Sequence, residues 1–430
     1  MKVLWVCNIM LPVIARNLNL PYSNREGWLS GAVEKLLSSK NAGRVTLGIC
    51  FPTDRMMGSF SRELSLSEEG SCMCYGFEED LTHPEKYNEG LEARFKEIFA
   101  DFEPDMIHIF GTEFPHTLAA VRAFGRPERT LIGIQGVCAE IAEQYTAGIP
   151  LSVKYIPTLR DILKKDSIYQ QIKKFELRGV NEAAALSGVM HIAGRTEFDK
   201  RVAKKLNPKA MYHVINETMR SCFYQDSWHV ETCERERIFL SQGDYPLKGF
   251  HYVLQALPKI LERHPGAMVY VAGANLMQSD TWKDRLKRSG YGRYLKHLIR
   301  KYRLQDHVVM LGRLNETQMK EQYLKCHVFV CPSSLENSPN SLGEAMLLGV
   351  PCVASQVGGI PDLLDDGRDG ILVPPGDIEA LASRICEVME KDDITRLYSI
   401  NAKKHAYRTH DSESNFAQLL IAYVTIVELS

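Results

Sequence analysis

The chain has 430 residues, which suggests two or three domains and ample material for a core. Lys and Arg number 52 against 53 Asp and Glu, a formal charge of −1 that gives no global electrostatic reason to expect nucleic acid as a partner. Apolar residues at 45 % and charged residues at 24 % exclude a mainly disordered chain, and no run approaches the roughly 20 uninterrupted apolar residues of a spanning helix. The eleven cysteines are odd in number and sit mostly in apolar runs such as Val328-Phe329-Val330-Cys331. Buried thiols in a reducing, intracellular compartment fit that pattern better than a disulfide framework. Cys72 and Cys74 are too closely spaced for a usual zinc pair, and no second pair with metal spacing accompanies them.

In chain order, Met1-Lys2 precedes the apolar run Val3 to Cys7. Asn8 and Pro12 break that run and no small-residue cleavage site follows, so a buried strand over 2–8 is a better reading than a signal peptide. A helix over 27–40 and a strand at 44–50 come next. Helices at 88–101 and 115–124 then flank a strand at 106–110, and a strand at 130–135 leads to a helix at 168–186. Strands at 188–193 and 212–215 close the first half. Beyond a polar stretch to 236, strands fall at 237–242, 267–273, 307–312, 327–331, 351–355 and 370–373. The helices among them lie at 249–264, 316–325, 341–349 and 377–391. Strands apolar on both faces and separated by helices predict an α/β protein with parallel sheets covered on both sides. The polar break predicts one domain over 1–214 and another over 215–410, with ligands at the carboxyl ends of their strands. Segment 411–430 carries Phe416, Leu419, Leu420, Tyr423, Ile426 and Val427 at helical spacing, a helix packed on the body.

The most informative stretch is 332–376, PSSLENSPNSLGEAMLLGVPCVASQVGGIPDLLDDGRDGILVPPG. It reads as strand, loop, helix, strand, glycine loop, helix, strand. Ser341 is a good N-cap for a helix that Gly349 stops. First-turn amides of such a helix are free donors with partial positive charge, suited to phosphate. Glu336 and Glu344 can both face one cleft. The plainer alternative is that Ser341-x-x-Glu344 is a capping box and Glu336 an ordinary loop acid.

Glu336, seven residues and Glu344, followed by Gly349-Val-Pro351, Val357-Gly-Gly-Ile-Pro-Asp362 and Gly370 to Asp377, resemble the donor-site signature of glycosyltransferase family 4, retaining enzymes of the GT-B fold. Upstream, Pro246-Leu-Lys248-Gly249 looks like the family's diphosphate loop, and Val309 to Arg313 like its strand beside the nucleotide base. The resemblance implies two Rossmann-like domains facing a cleft. It implies that the first binds acceptor, that the second binds a UDP- or GDP-sugar, and that the last helix returns to the first. It also implies that Glu336 orients the donor sugar and Lys248 balances the leaving diphosphate. Glu344 would hold the ribose hydroxyls, and the amides of Asn340, Ser341, Leu342 and Gly343 would bind sugar or diphosphate. Gly312 and Arg313 would lie by the base. Such enzymes generally need no metal or other cofactor, since cations and helix dipoles stabilise the charge.

The sequence departs from the family in places. An arginine ahead of the lysine is replaced by Gly243 or Asp244, leaving Arg16, Arg25 and Arg313 as candidate substitutes. Paired glycines near the phosphates become Gly27-Trp28, and a sugar-contacting histidine becomes Gln135. Glu113 and His116, just past a strand, are candidate acceptor contacts, with loop and N-cap roles as the alternative. His108 reads as a core histidine, and Arg195 to Glu197 read as a helix start. The basic, aromatic stretch 281–303 reads as a solvated helix pair or as attraction to an anionic membrane surface, and segment 164–175 is similar.

The expected protein is a cytoplasmic glycosyltransferase, either free in the cytoplasm or peripheral at the inner face of the membrane. It would move a hexosyl or N-acetylhexosaminyl group to a glycan or lipid-linked acceptor in polysaccharide or glycolipid assembly. The rivals are a synthase or phosphorylase acting on soluble sugars, and a non-catalytic sugar-nucleotide-binding protein. A dinucleotide-dependent oxidoreductase would need a glycine fingerprint after the first strand, and Cys7 to Pro12 offers none.

Overall fold

The apolar runs assemble two parallel sheets in a computed structural model that describes residues 1–20, 27–37, 44–66, 70–277 and 287–428. The chain divides into two units. One comprises Met1–Ala139, Lys174–Arg220 and His410–Ser430, and the other Glu140–Lys173 and Ser221–Thr409. Segment 140–173 therefore groups with the second half of the chain, although it precedes the polar break near 214.

The first unit holds β1 (Lys2–Val6), β2 (Thr46–Thr53), β3 (Phe60–Ser65), β4 (Ser71–Glu78), β5 (Met106–Phe110), β6 (Thr130–Gly133), β7 (His191–Gly194) and β8 (Met211–Val214). Their order is β3-β4-β2-β1-β5-β6-β7-β8, parallel throughout except that β3 runs antiparallel to β4. The β3–β4 hairpin was not legible in the sequence, because only Leu64 of edge strand β3 is buried. Val3, Trp5, Ile49 and Phe51 project from β1 and β2 into a core that the helix Ser412–Glu428 closes with Leu419, Tyr423 and Ile426. Trp5 Nε1 donates to Tyr423 Oη at 2.8 Å, and that hydroxyl lies 2.8 Å from His108 Nδ1. His108 is thus a core histidine, held neutral at a pKa of about 3 by burial.

The second unit holds β9 (Arg237–Leu240), β10 (Met268–Ala272), β11 (Val308–Gly312), β12 (Val328–Cys331), β13 (Cys352–Ser355) and β14 (Ile371–Val373). The order β11-β10-β9-β12-β13-β14 is wholly parallel. Every position of β9, β12 and β13 is buried, as a sheet covered on both faces requires. The order reverses between β9 and β12, the position at which open parallel sheets place their ligand sites, at the carboxyl ends of the strands.

Of the basic stretch 281–303, residues 281–286 lie outside the described residues. The helix Gly290–Lys301 turns Tyr291, Tyr294, Leu295 and Leu298 into the core. Tyr291 and Tyr294 are therefore packing residues rather than a membrane-facing pair. Among the described residues, no helix is long and apolar enough to cross a membrane.

Burial sets the acid limit of stability. His108 is held at about 3, and His213, His251 and His327 at about 4. The unfolded chain protonates these near 6.5 while the folded chain does not, so their contribution is present above pH 6.5 and lost as pH falls. Glu182 opposes them, because burial raises its carboxyl to about 8 and its contribution grows as pH falls from 8 towards 4.5. The lowered histidines outnumber the opposing carboxyls, which predicts a melting temperature that drops between pH 7 and pH 5, by up to about 1.4 kcal/mol per pH unit for each histidine. A calorimetric pH series checks this.

Candidate active site

Two loops meet beyond β9 and β12. The loop after β9 ends in the turn Pro246–Lys248 and in Gly249, whose φ is 69°. The loop after β12 passes Pro332, Ser333 and Ser334, and the Ser334 amide donates to Leu247 O at 2.8 Å. A Cβ on Gly249 would stand 1.9 Å from Pro332 O, so only glycine allows the loops to approach this closely. The approach carries Lys248 Nζ to 2.6 Å from Glu336 Oε1, which also accepts from Ser333 Oγ at 2.6 Å. Glu336 is held from behind, because its carbonyl accepts from the Gly359 amide at 3.0 Å. Gly358, at φ +52°, packs so tightly on that carbonyl that a Cβ would lie 1.8 Å away.

Burial pulls the Lys248 ammonium down, but the Glu336 carboxylate more than offsets this and the net shift is upward. Lys248 is therefore a fixed cation with no role in proton transfer. Tyr245, partly buried with its ring centroid 5.7 Å from Lys248 Nζ, has its hydroxyl pushed up chiefly by desolvation.

The next helix is Asn340–Leu348, with Pro339 as N-cap and no side-chain cap bond. It starts before the expected N-cap Ser341, so the capping box does not form and Glu344 falls in the second turn. Glu344 is buried and accepts from Tyr323 Oη at 3.3 Å. The Leu342 and Gly343 amides already donate to Pro339 O. Those of Asn340 and Ser341 have no partner among the described residues, and neither does the buried Asn340 Oδ1. Two unengaged amides and an orphaned carbonyl oxygen thus sit at the positive end of a helix.

Gly312 ends edge strand β11 with φ +75°, and Arg313 beside it is exposed. Both stand at the carboxyl edge of the same sheet, two strands away from β9. The missing arginine has a structural counterpart. A Cβ on Gly243 would lie 2.6 Å from Val271 Cγ1, so no long side chain fits there. Asp244 turns away, accepting from Gln242 Nε2 at 2.9 Å. Arg25 lies outside the described residues, and Arg16 belongs to the helix Pro12–Asn17 of the first unit.

In the first unit, Glu113 and His116 follow β5. His116 is fully buried, with Nδ1 2.6 Å from Glu79 Oε2 and Nε2 3.0 Å from Asn8 Oδ1. Both ring nitrogens are engaged, so His116 positions Asn8 and presents no face to a ligand. Glu113 Oε2 accepts from Asn8 Nδ2 at 3.2 Å and from its neighbour Thr112 N at 2.9 Å. Its partly exposed carboxylate is thereby fixed at the strand ends. Glu182, unread in the sequence, meets Thr112 Oγ1 and accepts from Cys138 N at 2.9 Å. Thr112 Oγ1 is also 3.0 Å from Gly136 O, and one hydroxyl proton cannot serve both. A protonated Glu182 satisfies both contacts, in keeping with its raised pKa.

Gly27 opens the helix Gly27–Leu37. Gln135, just past β6, lines a largely apolar cavity of about 60 Å³ with Phe110, Phe416 and the buried ion pair Arg195–Glu217. Thr196 caps the helix Glu197–Leu206, matching the expected helix start.

Among the described residues one group has metal-ligand spacing, Asp365, Asp369 and His405. Its carboxylates are engaged locally, Asp369 by His405 Nδ1 at 2.7 Å and by the Asp365 amide at 2.7 Å, and Asp365 by Arg368 at 3.2 Å. It reads as a turn.

Ser333 and Tyr323 escaped the sequence reading. Ser333 leaves a signal, a hydroxyl three residues before Glu336 at a strand end, whereas Tyr323 comes from a separate helix with no motif.

Fold and site define a class. Sucrose-phosphate synthase of Thermosynechococcus elongatus superposes with a TM-score of 0.66 at 15 % identity, over 100 % of both chains. HepE of Anabaena, in complex with UDP-glucose, does so with a TM-score of 0.66 at 16 % identity, over 99 % of this chain and 100 % of that one. The fold is GT-B, two parallel-sheet α/β units. Residues 226–405 match the family model described as glycosyl transferases group 1. An uncharacterized glycosyltransferase of Methanocaldococcus jannaschii is 28 % identical over 206 residues, 48 % of this chain and 49 % of that protein. Phosphatidyl-myo-inositol mannosyltransferase of Mycobacterium leprae is 27 % identical over 190 residues, 44 % of this chain and 46 % of that one. The chain thus spans about half the length, or less, of the first curated relatives it matches.

The Lys248–Glu336 pair predicts a coupled double-mutant cycle. Lys248→Met or Glu336→Gln alone leaves an uncompensated partly buried group or its lost partner, costing about 2–4 kcal/mol, and the double variant recovers about 1–3 kcal/mol of the sum. Denaturant unfolding of the four proteins measures it.

Proposed function

We propose that the chain is a retaining glycosyltransferase that moves a hexosyl or N-acetylhexosaminyl group from a UDP- or GDP-sugar to a glycan or lipid-linked acceptor. What supports this reading is the Lys248–Glu336 pair beyond β9 and β12, together with the unengaged Asn340 and Ser341 amides that follow Glu336 at the start of the next helix. In this reading the diphosphate lies against the two amides and Lys248. Glu336 takes hydrogen bonds from the sugar hydroxyls and tolerates positive charge on the ring. Glu344 accepts from the ribose hydroxyls. The bond between the anomeric carbon and the diphosphate oxygen breaks through an oxocarbenium-like transition state. The departing charge falls on Lys248 and the helix N-terminus, groups fixed before the reaction begins. The acceptor hydroxyl enters on the face the diphosphate leaves, and its proton passes to the departing phosphate. No metal is needed in this scheme. Donor binding is assigned to the second unit and acceptor binding to the first, where Glu113 is the candidate contact. The polysaccharide or glycolipid setting, at the cytoplasmic face of a membrane, belongs to the same proposal.

One observation favours a second reading. Gly243 leaves no room for the diphosphate arginine, which suits a protein that binds sugar nucleotides without turning them over.

Release of free nucleoside diphosphate from a panel of UDP- and GDP-sugars, with a chelator present, separates the two. One donor is expected to turn over slowly. Lys248→Ala should lower kcat about 100- to 1000-fold, and Glu336→Ala should abolish the release. Glu344→Gln should raise KM about tenfold or more with a smaller effect on kcat. No turnover and no donor-induced rise in melting temperature would defeat both readings. A rise without turnover, persisting when acceptors are added, would favour the second.

A further inference from the structure

The short helices Leu151–Tyr155 and Leu159–Lys164 invert the arrangement that water selects. A helix on a soluble body turns its apolar stripe inward and its charges outward. Here the first helix has no buried residue, and the second buries only an acid, Asp161. Leu151, Tyr155, Ile156, Leu159, Ile162 and Leu163 are instead 54–76 % exposed. The inversion is held by polar bonds. Thr158 and Asp161 form a reciprocal capping box, and Asp161 Oδ2 also accepts from the Gly290 amide at 2.9 Å. Arg293 donates to the Ile156 carbonyl at 2.8 Å. These bonds tie the segment to the helix Gly290–Lys301 by its acid and its backbone, which leaves the leucines and isoleucines outside. Six exposed apolar side chains on one short segment mark a surface that another phase or partner covers.

The charge around the patch selects the occupant. Both nearby acids, Asp161 and Asp166, are engaged by Arg160 at 3.1 and 2.8 Å. Lys154, Lys164 and Lys165 have no acidic partner among the described residues. Tyr155 and Tyr169 stand 5.9 Å apart at its rim, the kind of amphipathic ring that settles at headgroup depth. An apolar centre with a cationic rim would repel its own copy and complement an anionic bilayer.

We propose that this face docks on the surface of an anionic lipid membrane. The inference deepens the reading of a lipid-linked acceptor and rests on it only for its purpose, since docking is measured without donor, acceptor or turnover. The test is co-sedimentation of the full chain with vesicles of phosphatidylcholine and phosphatidylglycerol in equal parts, beside pure phosphatidylcholine. The mixed vesicles should bring the protein down, and the neutral ones should not. The pairs Ile162→Ser with Leu163→Ser and Lys164→Gln with Lys165→Gln should each weaken partitioning about tenfold or more, with melting temperature unchanged because all four side chains are exposed. A wild-type chain that stays in solution with the mixed vesicles at low salt overturns the proposal, and so does a serine variant that binds as well as wild type. A dimer in sedimentation that the serine pair splits, without vesicle binding, assigns the face to a second copy instead.

Discussion

The contact between Lys248 and Glu336 is the constraint around which the loops of the second unit are arranged. It joins residues 88 positions apart, from loops that follow neighbouring strands and meet beyond their carboxyl ends. Two features permit it, the glycine that lets one loop press on Pro332 O and the glycine that lets another press on the Glu336 carbonyl. A carboxylate this poorly hydrated is tolerable only with a cation and a hydroxyl already in place, and Lys248 and Ser333 supply them. The pair is thus a structural rivet between the two loops, and in the proposed reaction it is also the electrostatic environment that the diphosphate meets.

In the loop after β9, the position ahead of Lys248 carries no arginine. Lys248 offers a single point charge where a guanidinium would offer a planar fork. The helix amides of Asn340 and Ser341 add donors in fixed directions, so the geometry a fork would impose can come from backbone. The charge it would bring cannot, and in the proposed reaction the leaving group therefore depends more heavily on one cation.

How far the sequence could be read follows from where each element buries its side chains. The strands of the second unit were visible as apolar runs because both faces are covered. Strand β3 was invisible, since an edge with one buried residue looks like a loop. The helices of 151–164 were invisible for the opposite reason, since their apolar residues face outward and leave no inward stripe to detect. Glu336 and Glu344 could be picked out by spacing, and Lys248 by its turn. Ser333 and Tyr323 depend on contacts between elements, which spacing does not encode. His116 was misjudged because a histidine at a strand end resembles a ligand contact until Phe77 and Phe114 are seen packed on its ring.

The hydrogen bond from Trp5 to Tyr423 bridges 418 positions. The core of the first unit thus joins β1 to the helix Ser412–Glu428. A ribosome releases the second unit's segments before that helix, so the second unit can close while the first still exposes the apolar face of β1 and β2. Vectorial synthesis therefore reverses the order of maturation relative to the order of the chain. β1 and β2 are made well before the helix that shields them, and during that interval a chaperone would find its binding surface on the face that Leu419, Tyr423 and Ile426 later cover.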